Sequence, residues 1–163
     1  MIILGIDPGT TTTGFGTIEI KNHQIKLLEH GIIETKPKIP LPLKLIEIYK
    51  DIKKIIKDIK PDLIAVEQLF FFKNLKTAMA VGQARGVILL AAQQAKIPIL
   101  EYTPLQVKMA VCGNGRADKG QVQGMVKSIL SLKEIPKPDD AADALAVAIC
   151  GANCQKINFQ TRS

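Results

Sequence analysis

The 163-residue chain is 47% hydrophobic with a formal charge of +7, which allows one sizeable core and leaves too little length for two ordinary domains. It opens without a charged leader and h-region, and no apolar run is long enough to span a bilayer, so a soluble, unexported, cytoplasmic protein is expected. The positive charge points to a polyanionic partner, although charge alone favours nucleic acid only modestly. Cys150 and Cys154 are spaced as neighbours on a helix, and His23 and His30 lie far upstream, which argues against a four-ligand zinc site and for reduced thiols.

The first stretch, Met1 to Gly14, reads MIILGIDPGTTTTG. Ile2, Ile3, Leu4 and Ile6 form a strand-length apolar run that Pro8-Gly9 must end, leaving Asp7 at its mouth. An ionised Asp in that position is costly unless it is paired, hydrogen-bonded or bound to a cation. One reading is an Asp that satisfies turn amides, and the other is a ligand. Two further strands, Phe15 to Ile20 and Ile25 to Thr35, complete an antiparallel meander. Pro37, Pro40 and Pro42 break the pattern, and an amphipathic helix follows over roughly 43–59, its lysines read as a solvated outer face.

Leu63 to Val66 is a second short buried strand, and it delivers Glu67 as the first delivers Asp7. In open α/β sheets, the ends of adjacent parallel strands share one edge, where sites form. Phe70, Phe71 and Phe72 follow directly. Leu75 to Lys96 reads as a helix with Gly82 and Gly86 on one face, suited equally to tight packing on the sheet or to a dimer seam. Ile97 to Glu101 is the last strand, and Thr103-Pro104 starts a short helix to about Val111. The loop CGNGRADKG, Cys112 to Gly120, lacks the GK[ST] ending of a Walker loop, but Arg116 and Lys119, with Lys108 before them, suit phosphate contacts. Helices are expected from Lys119 to about Leu132 and from Asp139 to about Cys154, with a frayed tail over 155–163. Alternating strands and helices make the fold class α/β.

The last helix begins DDAADALAVAI. Asp139 is explained as a helix-start acid, whereas Asp140 and Asp143 share a helix face and repel one another unless a cation lies beside them. Two acids on strand ends and two on one helix face make a set of hard oxygen ligands suited to Mg²⁺ or Mn²⁺. Such a set can hold two ions about 3.5 to 4 Å apart, one activating water and one stabilising the leaving oxygen of a phosphodiester.

Taken together, GIDPGT, AVEQLFFFKN, GQARG, YTPLQVK with GNGRADKGQV, and DDAADALAVAI resemble, in that order and spacing, the RuvC-type crossover-junction endodeoxyribonucleases. The resemblance covers the chain to about residue 150. It implies a ribonuclease H-like fold over residues 1–154, with a mixed five-stranded sheet flanked by helices. It also implies a homodimer that resolves four-way (Holliday) DNA junctions by Mg²⁺-dependent symmetric nicking, in recombination and repair, with a branch-migration motor as a possible partner. By motif position, Asp7, Glu67, Asp140 and Asp143 are the catalytic and metal-binding acids. Phe70 meets unpaired bases at the crossover, Lys108 and Lys119 meet the scissile backbone, and Arg116 adds to that patch. Gly82 and Gly86 fall on the dimer element, and a short T-rich cleavage sequence is typical of the family.

GIDPGTTTTG also resembles the phosphate-binding turn of actin-like ATPases and sugar kinases, but those need a second lobe for which this chain has no room. A related ribonuclease H-like nuclease of ribosomal RNA precursors shares the opening motif and fits the lysine loop and DAAD helix less well. A junction-binding dimer without chemistry is disfavoured because all four acids are present.

Overall fold

The computed structural model describes residues 1–22, 24–68 and 75–160. Its elements follow the order β1 (Ile2–Asp7), β2 (Thr12–Lys21), β3 (Gln24–Glu34), α1 (Leu41–Ile59), β4 (Leu63–Glu67), α2 (Leu75–Gln94), β5 (Ile99–Tyr102), α3 (Pro104–Cys112), α4 (Lys119–Ile129) and α5 (Asp139–Gln160). The five strands form one mixed sheet of order β3-β2-β1-β4-β5. The opening meander is antiparallel, and β1, β4 and β5 run parallel. The expected α/β class and five-stranded sheet are therefore present.

Differences from the sequence reading are at element ends. β2 begins at Thr12, ahead of the expected Phe15. The Thr13 hydroxyl donates to the Gly9 carbonyl (2.7 Å), and the Thr35 hydroxyl donates to that of Thr10 (2.7 Å), so the threonines shape the turn after β1. Helix α1 starts at Leu41, because proline is tolerated in a first turn. Helix α5 continues to Gln160, past the predicted end at Cys154. No proline follows Asp139 in that stretch, so nothing local stops the helix.

The core has two halves, one on each face of the sheet. Leu4, Ile6, Ile64 and Val66 pack against α1 and α2 through Ile48, Ile52, Ala84 and Ile88. Ile3, Ile18, Leu63 and Ala65 pack on the other face against α5 through Leu145, Ala148 and Ile149. Helix α5 is apolar on nearly every side from Ala141 to Ala152 because it lies between this sheet face and α3 and α4.

Helix α5 lies unusually close to the sheet. A Cβ on Gly5 would land on the Ala144 carbonyl, one on Gly14 on the Asp140 carbonyl, and one on Gly16 on the Leu145 side chain. The facing helix is correspondingly poor in bulk, with Ala144 and Ala148 one turn apart. Gly86 of α2 differs, since it is exposed and a Cβ there would meet nothing within 4 Å. Among the described residues it is not a packing glycine.

Gly14→Ala is expected to destabilise the fold by about 1–3 kcal/mol through overpacking against a backbone that cannot yield. Gly86→Ala should leave the protomer unchanged or stabilise it by about 0.5–1 kcal/mol. Urea unfolding of both variants checks this, and equal effects would contradict the packing described.

Candidate active site

Alternation along a strand decides which side chains face α5. Successive residues point to opposite sides of the sheet, so Ile3, Gly5 and Asp7 form one row on β1, and Leu63, Ala65 and Glu67 form the matching row on β4. The parallel register pairs Ile6 with Val66, which brings Asp7 and Glu67 side by side at the strand ends. On the other flank, Asp7 is paired with Gly14, the residue over which the Asp140 backbone sits. Asp140 and Asp143 therefore start α5 above the two strand-end acids.

The electrostatics show this convergence. Asp7 is pushed up from 3.8 to about 8, first by burial and then by the charges of Glu67, Asp143 and Asp140 and its hydrogen bond with Glu67. Glu67 is also raised, by burial and by Asp143, while its hydrogen bond from Asp7 and the charge of Lys108 pull it back. Two carboxyl groups can share a hydrogen bond only through a proton, so with both raised the Asp7–Glu67 pair holds one between them. Burial raises Asp143, which Lys119 opposes from 3.0 Å.

Lys119, at the N-terminus of α4, also stands 3.5 Å from Asp139. Asp139 has Lys137 at 4.0 Å on its other oxygen. It contributes to the field at Asp143 but is absent from the charges acting on Asp7, which separates it from the four converging acids. A cavity of about 210 Å³ opens beside the acids, with Glu67, Asp143, Lys108 and Lys119 as its charged lining and Val107, Val122 and Ala146 as its apolar wall.

The structure thus unites Asp7, Glu67, Asp140, Asp143, Lys108 and Lys119. Arg116 is exposed in the loop between α3 and α4, its amide donating to the Asn114 side chain (2.9 Å), and it makes no ion pair among the described residues. Phe70 lies outside the described residues. Gly82 and Gly86 lie on α2, remote in sequence and element from the acids. The sequence reading missed the glycines that seat α5. Their signal was Gly14 and Gly16 two apart on a strand, facing alanines four apart on a helix. It also missed that Lys44 of α1 is buried and donates to the Thr11 hydroxyl (3.2 Å), bracing the turn after Asp7.

A family model described as crossover junction endodeoxyribonuclease RuvC matches residues 3–151. The chain belongs to the RuvC family. A curated crossover junction endodeoxyribonuclease RuvC from Desulforamulus reducens is 58% identical over 152 residues, 93% of each chain. The Thermus thermophilus RuvC structure superposes with a TM-score of 0.90 at 36% identity over 97% of both chains. A T. thermophilus RuvC in complex with a Holliday junction substrate gives a TM-score of 0.87 at 34% identity over 96% of both. These RuvC matches run over nearly the whole chain, and they favour neither an actin-like ATPase nor a ribosomal RNA nuclease.

The site has a consequence for stability. The fold accommodates Asp7 as the protonated acid, so Asp7 takes nothing from stability below about pH 3.8, and its cost grows as pH rises, levelling off above about 8. In EDTA, Asp7→Asn should stabilise the protein by about 1–3 kcal/mol at pH 9, with the gain vanishing by about pH 4. Urea unfolding across that range checks it, and a variant no more stable than the parent at pH 9 would contradict the assignment.

Proposed function

We propose that this chain is a Holliday junction resolvase, a metal-dependent endonuclease that acts as a homodimer and nicks two opposing strands of a four-way DNA junction symmetrically. The observation that carries the reading is the convergence of four carboxylates from three elements beside a lysine-lined cavity, in a chain of the RuvC family. The T. thermophilus relative bound to a Holliday junction supports the substrate class.

The donor set fits divalent cations. Among the described residues no three acidic, histidine or cysteine side chains stand close enough to hold an ion as they are. The acids instead find partners in one another and in Lys119. Four carboxylates face two ammonium groups, Lys108 and Lys119, so the fully ionised site carries two excess negative charges that a divalent cation offsets. Asp7, Glu67, Asp140 and Asp143 would be the ligands, all hard oxygens that suit Mg²⁺ with Mn²⁺ as a substitute. Two ions there would supply an activated water and stabilise charge on the leaving oxygen.

The chain's own residues do the rest. Lys108 and Lys119 hold the phosphate at the cavity wall, and Val107, Val122 and Ala146 keep bulk water from that side. Arg116 contacts the backbone further along, where its exposure suits it. Phe70 follows the Glu67 strand closely in sequence, a suitable position for stacking on bases splayed at the crossover.

Met79, Gly86 and Leu90 recur at helical spacing on α2 and are exposed, with Gly82 beside them. That face supports a two-fold seam, which places one site against each of two opposing strands. A branch-migration motor is a further partner of the assembly, and the cytoplasm is its location. Among the described residues no helix is long and apolar enough to cross a membrane.

The test is incubation of a labelled immobile junction, linear duplex and single strand with Mg²⁺ or with EDTA. Paired symmetric nicks in the junction alone, lost in EDTA, are expected, and equal cutting of linear duplex would contradict the reading. Asp7→Asn should lower the nicking rate by at least about 100-fold, several kcal/mol of transition-state stabilisation. Phe70→Ala should impair cleavage more than binding, because phosphate contacts dominate affinity. Gly86→Leu should weaken the dimer in sedimentation without unfolding the protomer, and an unchanged dimer would remove α2 from the seam.

A further inference from the structure

Asp139 is left over by the four-acid site. It is the first residue of α5, as Lys119 is of α4, and Asp143 lies one turn further along α5. The Lys119 ammonium stands between Asp139 and Asp143, 3.0 Å from Asp143 and 3.5 Å from Asp139. Asp143 is one of the four converging acids and Asp139 is not. Resting on the resolvase reading above, we propose that Asp139 is a positioning residue that shares Lys119 with Asp143 and so keeps the lysine from occupying that carboxylate alone.

An ammonium and a divalent cation compete for the same oxygens. A lysine held by Asp143 alone must lose its only counter-charge when a cation takes that carboxylate. With Asp139 beside it, the ammonium keeps a partner and stays at the cavity wall, where it faces an incoming phosphate. Geometry favours this division of labour, since Asp139 is half exposed and also neighbours Lys137 at 4.0 Å, whereas Asp143 is the more buried of the two. Exposed pairs of this kind are individually weak, so the effect belongs in the occupancy of Asp143 rather than in the stability of the fold.

The experiment measures Mg²⁺ binding to the full-length, DNA-free protein by thermal shift, alongside cleavage of the immobile junction at saturating Mg²⁺. Asp139→Asn should raise the half-saturating Mg²⁺ concentration by about two- to five-fold, with kcat reduced by less than about five-fold and Asp139→Glu restoring the parent values. In a Lys119→Met background the same Asp139→Asn change should have little effect on Mg²⁺ binding. Three results would overturn the proposal. An undiminished shift in the Lys119→Met background would make Asp139 a general field effect. A loss of kcat beyond about 100-fold at saturating Mg²⁺ would make it a ligand. An unchanged half-saturation would make it an ordinary helix-start acid. The reading on which it rests fails differently, by the parent protein showing no Mg²⁺-dependent junction cleavage.

Discussion

The site depends on the contact between α5 and the strands β1 and β2. Gly5, Gly14 and Gly16 remove the side chains that would hold the helix away, and the helix answers with Ala144, Ala148 and the bare carbonyl of Asp140. Interiors are packed closely enough that a single methylene in the wrong place is felt. With the helix seated at that depth, its first turn can only begin over the mouth of β1. Asp140 and Asp143 then come within electrostatic reach of Asp7, and the parallel pairing of β1 with β4 adds Glu67. Backbone proximity thus accounts for the gathering of four like charges that no side-chain contact would favour.

Such a gathering is destabilising by itself. Asp7 is half-buried with three acids around it, and together these push its carboxyl up to about 8. The rest of the structure holds the arrangement against that repulsion. The two core halves fix β1 and β4 from both faces, and the threonine turn after Asp7 is tied to Thr35, just past β3, and to Lys44 of α1. Lysines on α3 and α4 offset part of the charge, and the remainder is what the proposed cations would offset. Fold stability and function therefore oppose each other at Asp7, the pattern expected where a site concentrates like charges.

Much of this was legible in the sequence, and for physical reasons. A short apolar run ended by Pro-Gly can only be a strand that stops at Asp7, and a second run ends at Glu67 in the same manner. The i, i+3 spacing of Asp140 and Asp143 puts them on one helix face whatever the tertiary structure. Element ends were harder, because local signals there compete with tertiary ties: β2 starts at Thr12 since that turn is pinned by hydrogen bonds to Thr35, which lies far along the chain. The seat of α5 was missed because Gly14 and Gly16 look like turn residues until the helix that fills their space is placed. Gly82 and Gly86 drew attention for the same kind of spacing. A Cβ on Gly86 meets nothing within 4 Å among the described residues, so the spacing marks no close approach there. Asp139 was legible as a helix-start acid, but its neighbours Lys119 and Lys137 come from distant or proline-bearing segments that the sequence alone does not place.

The central claim is that the depth of α5 creates a half-buried acid cluster around a raised Asp7, which a divalent cation would discharge. It is tested most directly by calorimetric titration of Mg²⁺ into the DNA-free protein, in buffers of different ionisation enthalpy at pH 7 and at pH 9. With Asp7 titrating at about 8, the account predicts release of about one proton per site on binding at pH 7 and much less at pH 9. Binding heats independent of buffer at both pH values would mean that no proton leaves the cluster, and would contradict the account.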